Sequence, residues 1–145
     1  MQEQNFKNHV RLVPWFHFFT FSLVAIAFGG SIVKLVRSYQ TGLTGLLVPI
    51  ILLALSVALL MGLFFARLFA LKAQDRAIRA EENLRHFAMT GKLLDSRLKT
   101  YQIVALRFAS DEEFVALAAK AAAENMAPKE IKMAIQKWKG DYHRV

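Results

Sequence analysis

The residues best suited to chemistry lie in "NFKNHVRLVPWFHFFTF", residues 5 to 21, which holds His9 and His17 with a proline between them. His17 is flanked by Trp15, Phe16, Phe18 and Phe19. A neutral imidazole in such surroundings suits axial ligation of a haem or chlorophyll-type ring. The competing reading is an aromatic belt, in which Trp15 and its neighbours mark the headgroup level where a chain enters a bilayer. The second apolar stretch of the chain offers no histidine to match, which favours the belt. The expectation is therefore no cofactor, with His17 the single candidate for one; His9 sits in polar sequence that gives it no pocket.

Other catalytic equipment is missing from the sequence. There is no nucleophile elbow, phosphate-binding loop, dinucleotide fingerprint or pair of histidines four apart. Cysteine is absent, which excludes disulfides, thiolate metal sites and thiol catalysis. Lys34 and Arg37 are the cations nearest to apolar sequence, and their stems can carry the charged heads out to an interface. The chain reads as no enzyme, with no catalytic and no metal site.

The elements around these residues are set by hydrophobicity. Of 145 residues, 55% are hydrophobic, and the mean hydropathy is +0.32, too apolar for an ordinary soluble domain. Two runs, 15–33 and 43–66, contain no Asp, Glu, Lys or Arg. Crossing about 30 Å of hydrocarbon takes roughly 20 helical residues, so each run predicts a transmembrane helix. Lys7 and Arg11 before the first run, with Ala25-Ile26-Ala27 inside it, also trace a signal peptide; the expectation is that the segment is retained. No acidic residue interrupts either run, which argues against a proton relay or ion-coupled transport.

Flanking charge gives an orientation. The short connection carries Lys34 and Arg37, whereas the other side carries Lys7, Arg11, Arg67, Lys72, Arg76 and Arg79. This imbalance predicts both termini in the cytoplasm. The formal net charge is +8, and residues 67 to 145 hold fifteen Lys/Arg against ten Asp/Glu, an excess of five. Basic residues interspersed with acids suit anionic headgroups. A nucleic-acid partner is not expected, because no long basic run or reading motif appears.

Ala54, Ala58, Gly62, Ala66 and Ala70 recur every four residues, and the first run offers Ala25 and Gly29 at the same spacing. In lipid, small residues at this spacing allow close helix approach. The hairpin is expected to close on these rows, or to offer them to a partner's helix. Pro49 falls near the outer end of the second span, where a first-turn proline costs little.

After Arg67 no Gly or Pro interrupts the chain until Gly91. Ala73, Ala77, Ala80, Leu84 and Phe87 step by four and three, predicting an amphipathic stripe that packs on something. Asp75 with Arg79, and Glu81 with Arg85, are spaced to pair along an exposed helix. The span is expected to run on from 46 to 89.

Beyond Gly91, helical spacing recurs at Leu94, Leu98, Tyr101, Ala105 and Phe108. Ser110 and Glu113 are placed to form a reciprocal N-terminal cap. The helix they start carries Phe114, Leu117, Ala118 and Ala121 on one face. Pro128 suits the first position of a last helix, whose inward face is Ile131, Ala134, Ile135 and Trp138. A module this small is expected to pack on the stalk, the membrane or another protein.

The leader with Phe6, Val10 and Leu12 is expected to lie along the interface before Pro14. "EQNFKNH", the following "P" and "FH", two spans, "QIVALRFASDEEF" and "PKEIKMAIQKW" together resemble a family of small two-span bacterial membrane proteins classed only as a domain of unknown function. The resemblance implies a bacterial inner-membrane protein of mostly helical fold, and supplies no activity or site residue.

The sequence thus predicts an all-α membrane protein. A leader occupies 1–14. A hairpin fills 15–66, with helices 15–36 and 46–66 and an outer loop 37–45. An amphipathic extension covers 67–90, and a cytoplasmic module of about three short helices covers 91–145. The function expected is that of an accessory or scaffolding subunit of a larger membrane complex, with membrane lipid and other subunits or a second copy as partners. The alternatives are a membrane-anchored module that captures anionic lipid or a soluble partner, and pigment or haem binding through His17.

Overall fold

The computed structural model describes residues 4–6, 12–42 and 45–141. His9, Lys7, Val10 and Arg11 lie outside them, as do residues 43 and 44 of the expected loop. Among the described residues there are five α-helices and no strand: α1 (Phe21–Gln40), α2 (Leu47–Thr90), α3 (Thr100–Leu106), α4 (Asp111–Glu124) and α5 (Pro128–Ala134). A π-helical segment, Trp15–Thr20, leads into α1 without a break. The chain divides into two compact units, residues 11–69 and residues 1–10 with 70–145.

In the first unit, α1 runs to Gln40, four residues past its expected end. Nothing in "KLVRSYQ" breaks a helix, and the chain turns only at Gly42, whose φ of +88° favours glycine. Arg37, expected to open the loop, consequently sits with Lys34 in the last turns of the helix. Pro49 is the third residue of α2, before any intrahelical N–H is needed from it, so the helix is not kinked there.

Both helices of this unit withdraw a seam of residues spaced by three and four. In α1 it comprises Phe21, Val24, Phe28, Ser31 and Leu35; in α2 it comprises Pro49, Leu53, Ser56, Leu60 and Leu63. Ser31 and Ser56 are buried, and their hydroxyls donate to the carbonyls of Ala27 at 2.6 Å and Leu52 at 2.7 Å. Each hydroxyl is thus satisfied within its own helix turn.

The second unit contains the core of the protein. Leu94, Leu98, Ile103, Ala105, Leu106, Phe108, Phe114, Leu117, Ala118, Ala121, Ile131 and Ile135 are buried together, with Trp138 packed against them. The inward face expected of α4 is the observed one, but α5 ends at Ala134, so Ile135 and Trp138 reach the core from the extended segment after it. Likewise α3 begins only at Thr100, so Leu94 and Leu98 are buried from non-helical chain, and Tyr101 is half exposed. α2 stops at Thr90 because Gly91 takes a φ of +71° while its N–H bonds the carbonyl of Phe87 at 2.7 Å. Asn125, left-handed at φ 48°, ends α4 in the same way.

The expected stripe is uncovered among the described residues, and two further expectations for this unit are corrected. Ala73, Ala77, Ala80, Leu84 and Phe87 are all exposed, and the withdrawn residues of the stalk are Ile78 and Glu82. The predicted four-apart ion pairs do not form, and both arginines take other partners. Arg79 donates to the Thr100 hydroxyl at 3.3 Å, and Arg85 pairs with Glu82 at 2.9 Å and with Asp111. The reason is that the module docks on this polar face and offers acceptors that local pairing cannot match. Ser110 occupies the N-cap position of α4 but makes no side-chain cap bond. Glu113 is engaged elsewhere, accepting the N–H of Gln136 at 3.1 Å and of Lys137 at 3.0 Å.

Candidate functional site

His17 lies in the π-helical segment, half-buried, with its ring edge-on to Phe16 at 5.2 Å. Its Nδ1 lies 3.1 Å from the Val13 backbone nitrogen and 3.0 Å from the Val13 carbonyl oxygen, accepting from the first in one tautomer or donating to the second in the other. Either contact occupies Nδ1, which leaves Nε2 as the atom a ligand would use. Trp15 is 74% exposed and meets Phe19 edge to face at 5.3 Å. With Phe18 and Phe19 it forms an exposed aromatic group at one end of the apolar helix.

Lys34 and Arg37 line a shallow groove of about 570 Å³ along α1 with Gly30, Val33, Ser38 and Thr41. The two cations lie beside the hydroxyl-bearing Ser38 and Thr41. Arg67 is half-buried and Lys72 exposed on α2.

The small-residue rows do not meet within the chain. Ala25, Ala54, Ala58, Gly62 and Ala66 are exposed, and a methyl group placed on Gly29 or Gly62 would touch nothing within 4 Å. The withdrawn seams follow alternating steps of three and four, which track along a helix differently from a row of strict fours. Sequence spacing found the small residues but not the face that turns inward. Ala70, half-buried, belongs to the second unit.

Both apolar helices are long and apolar enough to cross a membrane, and only 11% of the most apolar window of each is buried. A core helix of a soluble domain would be mostly covered.

The densest polar constellation was not singled out in the sequence. Arg85 donates from Nε to Asp111 at 2.8 Å, from Nη1 to Glu82 at 2.9 Å and from Nη2 to the Ala109 carbonyl at 2.8 Å. Its guanidinium stacks on Phe114. Glu82 is 8% exposed, so its charge depends on this partner. The hydrogen bond and charge of Arg85 hold the Asp111 carboxyl below its ordinary value of 3.8. Nearby, Gln102 is buried, accepting the Lys99 N–H at 2.8 Å and donating to the Met126 carbonyl at 2.8 Å. A second cluster joins the termini: Gln4 accepts from the Asp141 N–H at 2.9 Å and donates to the Asp141 carbonyl at 3.1 Å, while the Asp141 carboxylate pairs with Arg107 at 3.0 Å. The leader is thus fastened, at Gln4, to the end of the module. Within each cluster cation and carboxylate pair across separate segments, an arrangement that holds those segments together.

Among the described residues no three His, Asp or Glu side chains gather as a metal site would need. No curated protein and no solved structure matches the chain. A family model does match, over residues 1–145, and the chain belongs to that family, a family of unknown function (DUF6526).

Proposed function

We propose that the chain is a non-enzymatic integral membrane protein that serves as an accessory or scaffolding subunit of a larger membrane complex. The observation that carries this reading is the uncovered row Ala54, Ala58, Gly62 and Ala66 on an apolar helix. Hydrophobic burial drives no association between helices in lipid, so a small-residue row acts by admitting a neighbouring backbone closely. Such a row is of use only to a helix from outside the chain.

The apolar stretch of each long helix supports insertion, with Trp15, Phe18 and Phe19 at the headgroup level of one leaflet and Lys34 and Arg37 at the other. The basic residues flanking the spans favour both termini in the cytoplasm, and the inner membrane of a bacterium is what the resemblance of the sequence implies. The pairing of Gln4 with Asp141 supports termini on one side. In this arrangement α3, α4 and α5 form a cytoplasmic module on the end of α2.

Purification of the full chain from its native membrane in a mild detergent tests the reading. A complex containing at least one further polypeptide is expected. An isolated chain, or one accompanied only by copies of itself, overturns it.

A further inference from the structure

The stretch of α2 in the second unit carries a face that nothing among the described residues covers. Ala73, Ala77, Ala80, Leu84 and Phe87 are all exposed, Leu84 at 68% and Phe87 at 50%. Their steps of four, three, four and three are those of the core positions of a two-stranded coiled coil. Ala77 and Leu84 then take one core position of the heptad, and Ala73, Ala80 and Phe87 the other. Alanine at three successive core positions lets two helices come close, and Leu84 with Phe87 supplies the bulk at one end.

We propose that this face binds the same face of a second copy of the chain, as a parallel two-stranded coiled coil. Charge selects that occupant and that direction. On this register Arg76 and Glu81 flank the seam, five residues apart, as the facing positions of parallel strands require. Arg76 of one copy therefore meets Glu81 of the other, and symmetry repeats the pair. Both side chains are exposed, and neither has a partner among the described residues. The remaining flanking positions at this level, Gln74, Asn83 and Ala88, are uncharged, so no like charges oppose each other. An antiparallel arrangement would set Arg76 against Asn83 and lose the pair.

The inference rests on the membrane reading in one respect: two chains inserted the same way run α2 in the same direction. Anchoring also raises their effective concentration, so a seam this short suffices.

Because the chain has no cysteine, single cysteines report the contact cleanly in full-length protein in isolated membranes. Ala77→Cys and Leu84→Cys are expected to give disulfide-linked dimers on mild oxidation. Yield should be at least several-fold above that of Met89→Cys, which is exposed on another face. In the Ala77→Cys background, Arg76→Glu or Glu81→Arg alone should cut the yield several-fold, and both together should restore it. Equal yields at 77, 84 and 89, or no recovery in the double exchange, overturn the proposal. Its fate is separable from that of the accessory-subunit reading: absent cross-links with a co-purifying polypeptide sink only the dimer, and specific cross-links without one sink only the accessory role.

Discussion

The guanidinium carbon of Arg85 lies 4.2 Å from the centre of the Phe114 ring, so a cation near the end of α2 rests on the face of a core residue of α4. Every other contact of Arg85 goes to groups that need it: the Glu82 and Asp111 carboxylates and the Ala109 carbonyl. Arg85→Ala would leave the buried Glu82 without its counter-charge. A loss of about 2–4 kcal/mol is expected, since stripping one partner from a buried pair exposes the other to an uncompensated desolvation cost. Arg85→Lys should recover only part, because an ammonium lacks the planar fork. Chemical denaturation of the detergent-solubilised chain, followed by near-ultraviolet circular dichroism, measures both.

The same cluster sets an acid limit. The folded Asp111 carboxyl titrates below its unfolded value of 3.8, so its contribution is fully present above pH about 4. It is lost as pH falls from there through the folded value. Melting temperature should accordingly drop below pH 4, and Asp111→Asn should be less stable at neutral pH and less sensitive to acid. Identical pH profiles for the two proteins would contradict the assignment.

Asp95 offers a direct titration. Hydrogen bonds from the Arg97 side chain and backbone bring its carboxyl down to about 2. Nuclear magnetic resonance of the Asp95 carboxyl should show that value, and Arg97→Ala should return it toward 3.8.

Ser110 and Glu113 separate two accounts of how α4 begins. The Ser110 hydroxyl is buried without a partner, while Glu113 accepts two backbone N–H groups just beyond α5. Ser110→Ala should change stability by less than about 0.5 kcal/mol, against about 1 kcal/mol for a working cap. Glu113→Ala should cost about 1–2 kcal/mol through the two amides it leaves bare. The reverse ranking in denaturation would restore the reciprocal cap.

Gln102 is the polar residue on which the module core closes. Gln102→Leu keeps its bulk but strands the Lys99 N–H and the Met126 carbonyl, and should cost about 2–3 kcal/mol. Amide hydrogen exchange at Lys99 is expected to speed up in that variant.

Much of this architecture could be read from residue order alone, because the signals involved are local. The continuity of α2 follows from the absence of Gly and Pro between Gly62 and Gly91, and the end at Gly91 from its backbone freedom. The inward face of α4 follows from Phe114, Leu117, Ala118 and Ala121 at helical spacing, whereas the last helix stops at Ala134, before the Ile135 and Trp138 that spacing assigned to it. What spacing could not give was the side of the stalk that meets the module. That face is chosen by Arg85, whose partners Ala109, Asp111 and Phe114 lie more than twenty positions away, so a polar surface is covered and an apolar one left bare. Glu113 was misassigned for the same reason, since the amides it caps belong to another segment. The small residues were legible as a row, but only the fold shows that Ala54, Ala58 and Gly62 are left uncovered.

The account stands or falls on what meets that row in the native membrane. A photo-activatable amino acid at position 54 or 58 of the full chain, irradiated in intact membranes, measures it directly. The account predicts an adduct that mass spectrometry resolves into this chain joined to a different polypeptide. Adducts with lipid alone, or with nothing but a second copy of the chain, would contradict it.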